Sequence, residues 1–359
     1  MSLHPLMSSS FANLARLATT YGCDTKHLPR LLGLLSVTAL RQPVIWWEAA
    51  KYGRRIRQEP FEAPVFIIGH WRSGTTHLHN VMGKDPQFGR VTLLEAGMPH
   101  DFLTLSGLLE HRLVDQIPEK RLMDNVPVAV DAPWEEEMAL TSTGRMSFYH
   151  VSFFPRCMER IFDEAVMFNG GDPALAAAWQ RQYLGFLRKV QFAQSGMPLL
   201  LKNPANTARI RWLREMFPGA RFIHIRRDPY KVFASTVHLY VKVQEEWGLH
   251  DTDRERVAKH VLDSYPKLMR AYFEQREALA DNELIEVSYR ELQEDPMSML
   301  RRIYAQLELP GFDTAAPRFE AYLESQRDYR KNVLPLTQRE RVAVGGQWRD
   351  IFERLEYPV

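Results

Sequence analysis

Pro64-Val-Phe-Ile-Ile-Gly-His-Trp-Arg-Ser-Gly-Thr-Thr-His-Leu-His-Asn-Val-Met82 is the stretch from which the fold can be read. Val65 to Ile68 is a short apolar, β-branched run, the pattern of a parallel strand buried on both faces. Gly69 to Gly74 make a turn with two glycines, and Thr75 to Met82 read as a helix. A strand, a loop and a helix in that order aim backbone N–H groups and the positive end of a helix at one point, which makes an anion site. Ser73, Thr75 and Thr76 add hydroxyls, and Arg72 adds a fixed positive charge with a two-pronged donor fork. The bland alternative is a glycine turn entering a helix, but strand, glycines, hydroxyls and arginine all agree on an anion.

The loop is not the usual nucleotide P-loop, G-x-x-x-x-G-K-[ST]. Gly69 and Gly74 have the right spacing, but Thr75 and Thr76 stand where its lysine and hydroxyl belong, and the positive residue precedes the second glycine. This resembles the loop of sulfotransferases that use 3′-phosphoadenosine-5′-phosphosulfate (PAPS), whose pattern is Lys or Arg, Ser or Thr, Gly, Thr, Thr. The resemblance implies that Arg72, Ser73, Gly74, Thr75 and Thr76 hold a 5′-phosphosulfate, with His77 shaping the nucleotide site.

Bulk properties narrow the function classes. The chain has 359 residues, long enough for a large core, with 45% hydrophobic and 25% charged residues, the balance of a soluble globular protein. A net charge of +2 leaves no polyanion footprint, so nucleic acid is not an expected partner and any anion site must be local. Cys23 and Cys157 give neither a disulfide framework nor a C-x-x-C pair, and residues 1–20 lack a basic start followed by an apolar core. A reducing cytoplasm is the expected compartment. Leu31 to Leu40, the most apolar stretch, is half the roughly 20 residues that span a bilayer.

Phe11 to Arg57 read as helical, with Pro43 an expected interruption. Trp46, Trp47 and Tyr52 lead into the basic cluster Lys51, Arg54, Arg55 and Arg57, so residues 28–57 are either an interfacial membrane contact or a helical pair lining an apolar pocket. Arg90 to Leu94 read as a second short strand, and 101–196 as a mainly helical insertion whose cluster Phe148, Tyr149, Phe153 and Phe154 is expected to wall an acceptor. The strand–helix alternation returns with Leu199 to Leu201, a helix Thr207 to Phe217, the strand Arg221 to Ile225, a helix from Pro229 to about Val243 with Asp228 as its cap, and the strand Glu283 to Val287. That alternation predicts a parallel sheet with ligands at its carboxyl ends.

Further residues carry the resemblance. Arg227 and Ser235 have the spacing of the family pair that holds the 3′-phosphate, and Tyr289 resembles the strand-end tyrosine near the adenine. Arg341-Val-Ala-Val-Gly-Gly346-Gln-Trp348 resembles the family's Arg-Lys-Gly-x-x-Gly-x-Trp, though Val342 and Ala343 replace the Lys and Gly. Lys202 resembles the lysine that contacts the leaving oxygen, which with Arg72 would offset charge developing in an in-line sulfuryl transfer. The histidine that serves as base in one branch of the family is replaced by Pro204. Glu95 stands where other branches place a glutamate base, and His77, His79 and His100 are rivals. Glu135, Glu136 and Glu137 read as a solvated charge run, one of which can point inward beside Trp134 and Met138. No metal-ligand spacing is visible, and the chemistry needs no metal.

The expected architecture is therefore α/β. A P-loop-like central parallel sheet is flanked by helices, in a single domain with an N-terminal helical segment (1–60), the phosphosulfate-loop unit (61–100), a helical insertion and acceptor lid (101–196) and the second half of the sheet (197–359). The implied activity is sulfuryl transfer from PAPS, leaving 3′-phosphoadenosine-5′-phosphate (PAP), to a hydroxyl or, less readily, an amine of an apolar small molecule or lipid. The alternatives are a kinase-like phosphoryl-transfer enzyme and a non-catalytic PAP- or lipid-binding protein.

Overall fold

The computed structural model describes residues 4–105, 132–327 and 334–359. Residues 106–131 of the expected insertion lie outside them. The chain divides into two compact units, each assembled from separated stretches. A sheet unit takes Glu62–Arg90, Met197–His238 and Ala258–Val359; a helical unit takes Met1–Phe61, Val91–Gly196 and Leu239–Val257.

In the helical unit, α1 (Phe11–Tyr21) and α2 (Leu28–Gln58) precede the sheet strands in sequence. Ser10 caps α1 by accepting from the Asn13 N–H, and a proline sits in the first turn of α2. Pro43 does not break α2: the helix runs 31 residues through it. The donor that Pro43 lacks would have served the Ala39 carbonyl, and both residues are exposed, so that carbonyl is left facing solvent rather than buried.

In the sheet unit, β1 (Val65–Ile68) leads through the glycine loop into α3 (Thr75–Met82). The expected strand over Arg90–Leu94 does not form. Gly89 bridges Leu199 and Thr92 bridges Pro133 as isolated pairs, and Leu93–Gly97 is a short helix, α4. Thr92 and Glu95 form a capping box, each side chain bonding the other's backbone N–H, and that signature decides the segment against its short apolar run. Helices α5 (Glu136–Thr143), α6 (Met158–Ala165) and α7 (Pro173–Ala193) continue the helical unit. Phe148, Phe153 and Phe154 are fully buried there, with Phe148 against Phe162 and Tyr240 and Phe154 against Tyr21 and His250. They form core of the helical unit. Glu136 and Glu137 are also buried, against the expectation of a solvated face.

The sheet unit continues with β2 (Leu200–Lys202), α8 (Ile210–Met216), β3 (Arg221–Arg226), the start of α9 (Pro229–Trp247), most of α10 (Arg254–Arg276) and β4 (Leu284–Ser288). The order is β2-β1-β3-β4 and every pair is parallel. Phe66 stands opposite Leu201 and Phe222, and Ile67 opposite Lys202 and Ile223. Successive β1 side chains point to opposite faces. Val65 and Ile67 enter a core with Leu78, Val81, Ile225 and Val287, while Phe66 stacks on Phe222 with ring centroids 5.4 Å apart. The strand order turns between β1 and β3, β2 lying outside the one and β4 outside the other, which places the crevice for a ligand where the loops after those two strands meet.

Among the described residues five further helices close the unit: α11 (Tyr289–Glu294), α12 (Pro296–Gln306), α13 (Phe312–Ser325), α14 (Gln338–Gln347) and α15 (Arg349–Arg354).

Candidate functional site

The loop after β1 is held in an unusual backbone course. Gly69, Arg72 and Gly74 have φ of 137°, 69° and 107°, a left-handed region that costs little only for glycine. A Cβ on Gly69 would come 2.5 Å from the Ile225 carbonyl oxygen, and one on Gly74 would come 2.3 Å from the Tyr289 ring. The two glycines are thus required by close approach as well as by φ. The Gly69 N–H donates to Thr207 Oγ1 at 2.8 Å, the Trp71 carbonyl accepts from Thr236 Oγ1 at 3.4 Å, and the Ser73 N–H donates to the His70 carbonyl at 3.1 Å. No side chain caps α3 at Gly74, so its first N–H groups keep the open end that binds anions.

Arg72 bridges this loop to the helix after β3. Its Nε donates to Ser235 Oγ at 2.8 Å, and Arg227, at the end of β3, donates from one guanidinium nitrogen to the Arg72 carbonyl at 2.8 Å. The Arg227 guanidinium lies 4.4 Å from the centroid of the Tyr289 ring, a cation–π contact. Burial lowers the Arg227 pKa from its ordinary value; Tyr289 opposes that and the Arg72 cation adds to it. Two guanidinium groups held beside one another in a partly buried crevice favour an anion between or upon them. Ser73 Oγ and Arg227 Nε are buried without a hydrogen-bond partner, so the crevice keeps donors in hand.

Lys202, the last residue of β2, is 2% exposed and donates to Thr76 Oγ1 at 3.1 Å. The geometry thus gathers Arg72, Ser73, Gly74, Thr75, Thr76, Lys202, Arg227, Ser235 and Tyr289 at the carboxyl ends of neighbouring strands. His77 turns toward Tyr322, its ring 6.5 Å away. His79 is fully buried; burial first, then the Lys202 cation, push its pKa down to about 3, and its Nε2 lies 3.2 Å from the Leu200 carbonyl oxygen, a structural setting. Asp228 caps α9 as its position predicts, its carboxylate accepting from the Tyr230 N–H at 2.9 Å.

Arg341 lies on that same first turn, 4.5 Å from the Tyr230 ring centroid. Its segment is helix α14. A Cβ on Gly345 would meet Tyr230 Oη at 2.6 Å, whereas Gly346 is exposed with open space around it, so the required glycine is Gly345. Trp348 is buried and stacks on Tyr265 with centroids 3.9 Å apart. Sequence reading missed Thr207, Thr236 and Tyr230: each acts across a long separation and none carries a local signature.

Glu95 belongs to the helical unit. Its carboxylate accepts from the Thr92 N–H at 2.8 Å, from Thr92 Oγ1 at 2.9 Å and from Gln194 Nε2 at 3.0 Å. His100 lies in the same unit, its Nε2 2.9 Å from the Ser142 carbonyl oxygen. Buried Glu136 accepts from Tyr183 Oη at 2.6 Å, and burial pushes its carboxyl up to about 7 against that hydrogen bond. Among the described residues no group of three or more His, Cys, Asp or Glu side chains is placed to share a metal ion.

Comparison with known proteins meets this geometry. The model of a family described as "Sulfotransferase family" matches residues 64–314. An omega-hydroxy-beta-dihydromenaquinone-9 sulfotransferase, Stf3, of Mycobacterium bovis is 33% identical over 312 residues, covering 87% of this chain and 80% of that one; the protein of that name from Mycobacterium tuberculosis matches equally. Among solved structures, sulfotransferase STF9 from Mycobacterium avium shares the fold with a TM-score of 0.68 at 21% identity, over 88% of this chain and 82% of that chain. Sulfotransferase STF1 from Mycobacterium tuberculosis does so with a TM-score of 0.61 at 17% identity, over 93% and 90%. A family model spanning most of the chain, and a curated relative matched along most of its length, show that this chain belongs to the sulfotransferase family.

Proposed function

We propose that the chain transfers a sulfuryl group from PAPS to a hydroxyl group of an apolar, lipid-like acceptor. The observation that carries the donor half is the bond between Arg72 and Ser235, with Arg227 bonded back onto Arg72. It joins the phosphosulfate loop to the arginine–serine pair in one cationic crevice, which suits a nucleotide charged at both its 5′ and 3′ ends. The buried unpartnered Ser73 Oγ and Arg227 Nε fit the oxygens of such a group. PAPS, when bound, supplies the sulfuryl group and a stable leaving nucleotide.

The chain's own residues then have distinct tasks. The N–H groups at the start of α3, with Ser73, Thr75 and Thr76, bind the 5′ end. Arg227 and Ser235 bind the 3′-phosphate, Arg341 adding charge from the neighbouring turn. Tyr289, already stacked on Arg227, offers its ring to the base. Lys202 and Arg72 hold positive charge where the leaving oxygen gains electrons, the largest contribution a site of this kind makes. Glu95 takes the proton from the acceptor hydroxyl.

For the acceptor, the support is a relative at 33% identity named for an omega-hydroxylated menaquinone derivative, together with the apolar helical unit. An acceptor of that class resides in a bilayer. Isothermal titration tests the donor half. PAP is expected to bind without magnesium and ATP at least about tenfold more weakly, with Arg227→Ala costing PAP about 10–100-fold, the worth of a charged hydrogen-bond partner. ATP binding tighter than PAP and requiring magnesium would turn the reading toward a kinase.

A further inference from the structure

The outer face of α2 answers to nothing in the donor site. Leu31, Leu34, Thr38 and Ile45 of that helix face inward and are buried. On the opposite side Leu28, Leu32, Leu40, Trp46 and Trp47 are 42%, 62%, 80%, 66% and 60% exposed. At 100° per residue these five fall within a sector of about 120°. Arg54 and Arg57, both exposed, continue the same sector at the carboxyl end of the helix, with Lys51 at its border. Single exposed leucines are ordinary on a soluble surface; five large apolar side chains in one stripe, two of them tryptophans, are not.

Charge decides what the stripe fits. Residues 25–58 contain one acidic side chain, Glu48, and it is buried and ion-paired with Lys189. The exposed face therefore offers apolar and aromatic groups that end in cations forming no ion pair among the described residues, the next acidic side chains being Glu59 and Glu62 beyond the helix. A protein partner of ordinary composition gives no reason for that one-sided charge. A bilayer with anionic headgroups gives both: tryptophan and leucine enter the boundary between headgroup and acyl chain, and arginine and lysine meet phosphates. No described helix is long and apolar enough to cross a membrane, so α2 would lie along the surface.

We infer that the outer face of α2, from Leu28 to Arg57, is a docking surface for an anionic lipid bilayer. It extends the lipid-acceptor reading without resting on it, since its evidence is the helix face alone. The test is sedimentation of the full-length chain with vesicles of phosphatidylcholine alone and of equal parts phosphatidylcholine and phosphatidylglycerol, with no donor or acceptor present. Binding to the anionic vesicles is expected, at least about tenfold stronger than to the neutral ones, and falling as salt rises. W46S/W47S and R54E/R57E are each expected to weaken it about tenfold or more while leaving PAP binding unchanged, which reports that the variants are folded. Failure to sediment with either vesicle, or sedimentation unaffected by both variants, would overturn the proposal. So would a dimer in lipid-free buffer that W46S/W47S converts to monomer in a chain without vesicle binding, because a second copy would then be the occupant. PAP titration is read without vesicles, so the donor-site reading and this one fail separately.

Discussion

Arg72 holds a left-handed backbone, φ 69°, while its Nε donates to Ser235 Oγ at 2.8 Å. That bond spans 163 residues of sequence, so nothing local announces it. What could be read at this scale was residue type and spacing around the loop; what could not was that Arg72 and Ser235 touch. Lys202 offers a sharper test of chemistry. It is buried and donates to the Thr76 hydroxyl in the first turn of α3, and Lys202→Ala removes that charge. The expected result is a drop in kcat of about 10²–10³-fold with PAP affinity within a few-fold, the pattern of a group acting on developing charge; a change in PAP affinity alone would make it a binding residue. For Glu95 the proposed base role must be separated from the capping box of α4, which it closes. Glutamine serves a capping box as glutamate does. Glu95→Gln is therefore expected to keep the melting temperature within about 2 °C, as a change well below 1 kcal/mol should in a chain of this size, while turnover with any identified acceptor falls about 10²–10⁴-fold. Unchanged turnover would leave Glu95 the cap alone.

The strand–loop–helix element around Gly74 is locked by Tyr289, whose ring occupies the space a Cβ at position 74 would need, 2.3 Å away. Gly74→Ala combines that overlap with a strained φ of 107° and is expected to cost about 2–4 kcal/mol in urea unfolding. The double change with Tyr289→Ala is expected to cost less than the two single costs added, because one clash is shared; strict additivity would show that Tyr289 does not brace the loop. Elements of this sheet were legible because each strand is a short apolar run bounded by glycine, proline or charge, and each lies within a residue or two of its expected bounds. Two features escaped. Pro43 signalled a break, but its missing bond falls on the solvent side of a long helix, where the bared carbonyl is not buried. Residues 90–94 signalled a strand, but the Thr92–Glu95 capping box four residues long was the stronger signal and was there to be read. Burial of Glu136 and Glu137 was half legible: the run allowed one glutamate to point inward, but the Tyr183 hydroxyl that meets Glu136, 47 residues on, and the Phe148 N–H that meets Glu137 lie outside it.

At the scale of the whole molecule, buried titratable groups set the pH range in which the fold holds. Burial, the leading cause in each case, lowers the pKa of His4, His150 and His224 to about 4 and of His70 and His79 to about 3, from 6.5. The unfolded chain takes up these protons below pH about 6.5 and the native chain does not, so their contribution is complete above 6.5 and is lost as pH falls, to about 4 for His4, His150 and His224 and to about 3 for His70 and His79. Each histidine loses about 1.4 kcal/mol per pH unit, and the five together about 7, comparable with the full stability of a domain. Glu136 has the opposite sign: raised from 4.5 to about 7, it favours the native state below 4.5 and that contribution is lost as pH rises to 7. The midpoint of urea unfolding is expected to fall steeply between pH 6.5 and 5, and Glu136→Gln to raise stability above pH 7 by about 2–3 kcal/mol while keeping the acid slope. A midpoint flat from pH 8 to 5 would show that these histidines are not held neutral. Helix α2 enters here as well, because its roll about its own axis is fixed by two buried ion pairs, Arg41 with Asp101 at 2.5 Å and Glu48 with Lys189. Turning the leucine and tryptophan stripe inward would tear both apart. Nothing among the described residues puts that greasy strip out of sight, so purified material should cling to plastic and air–water boundaries, and a trace of mild detergent should recover it in far better yield than any adjustment of buffer.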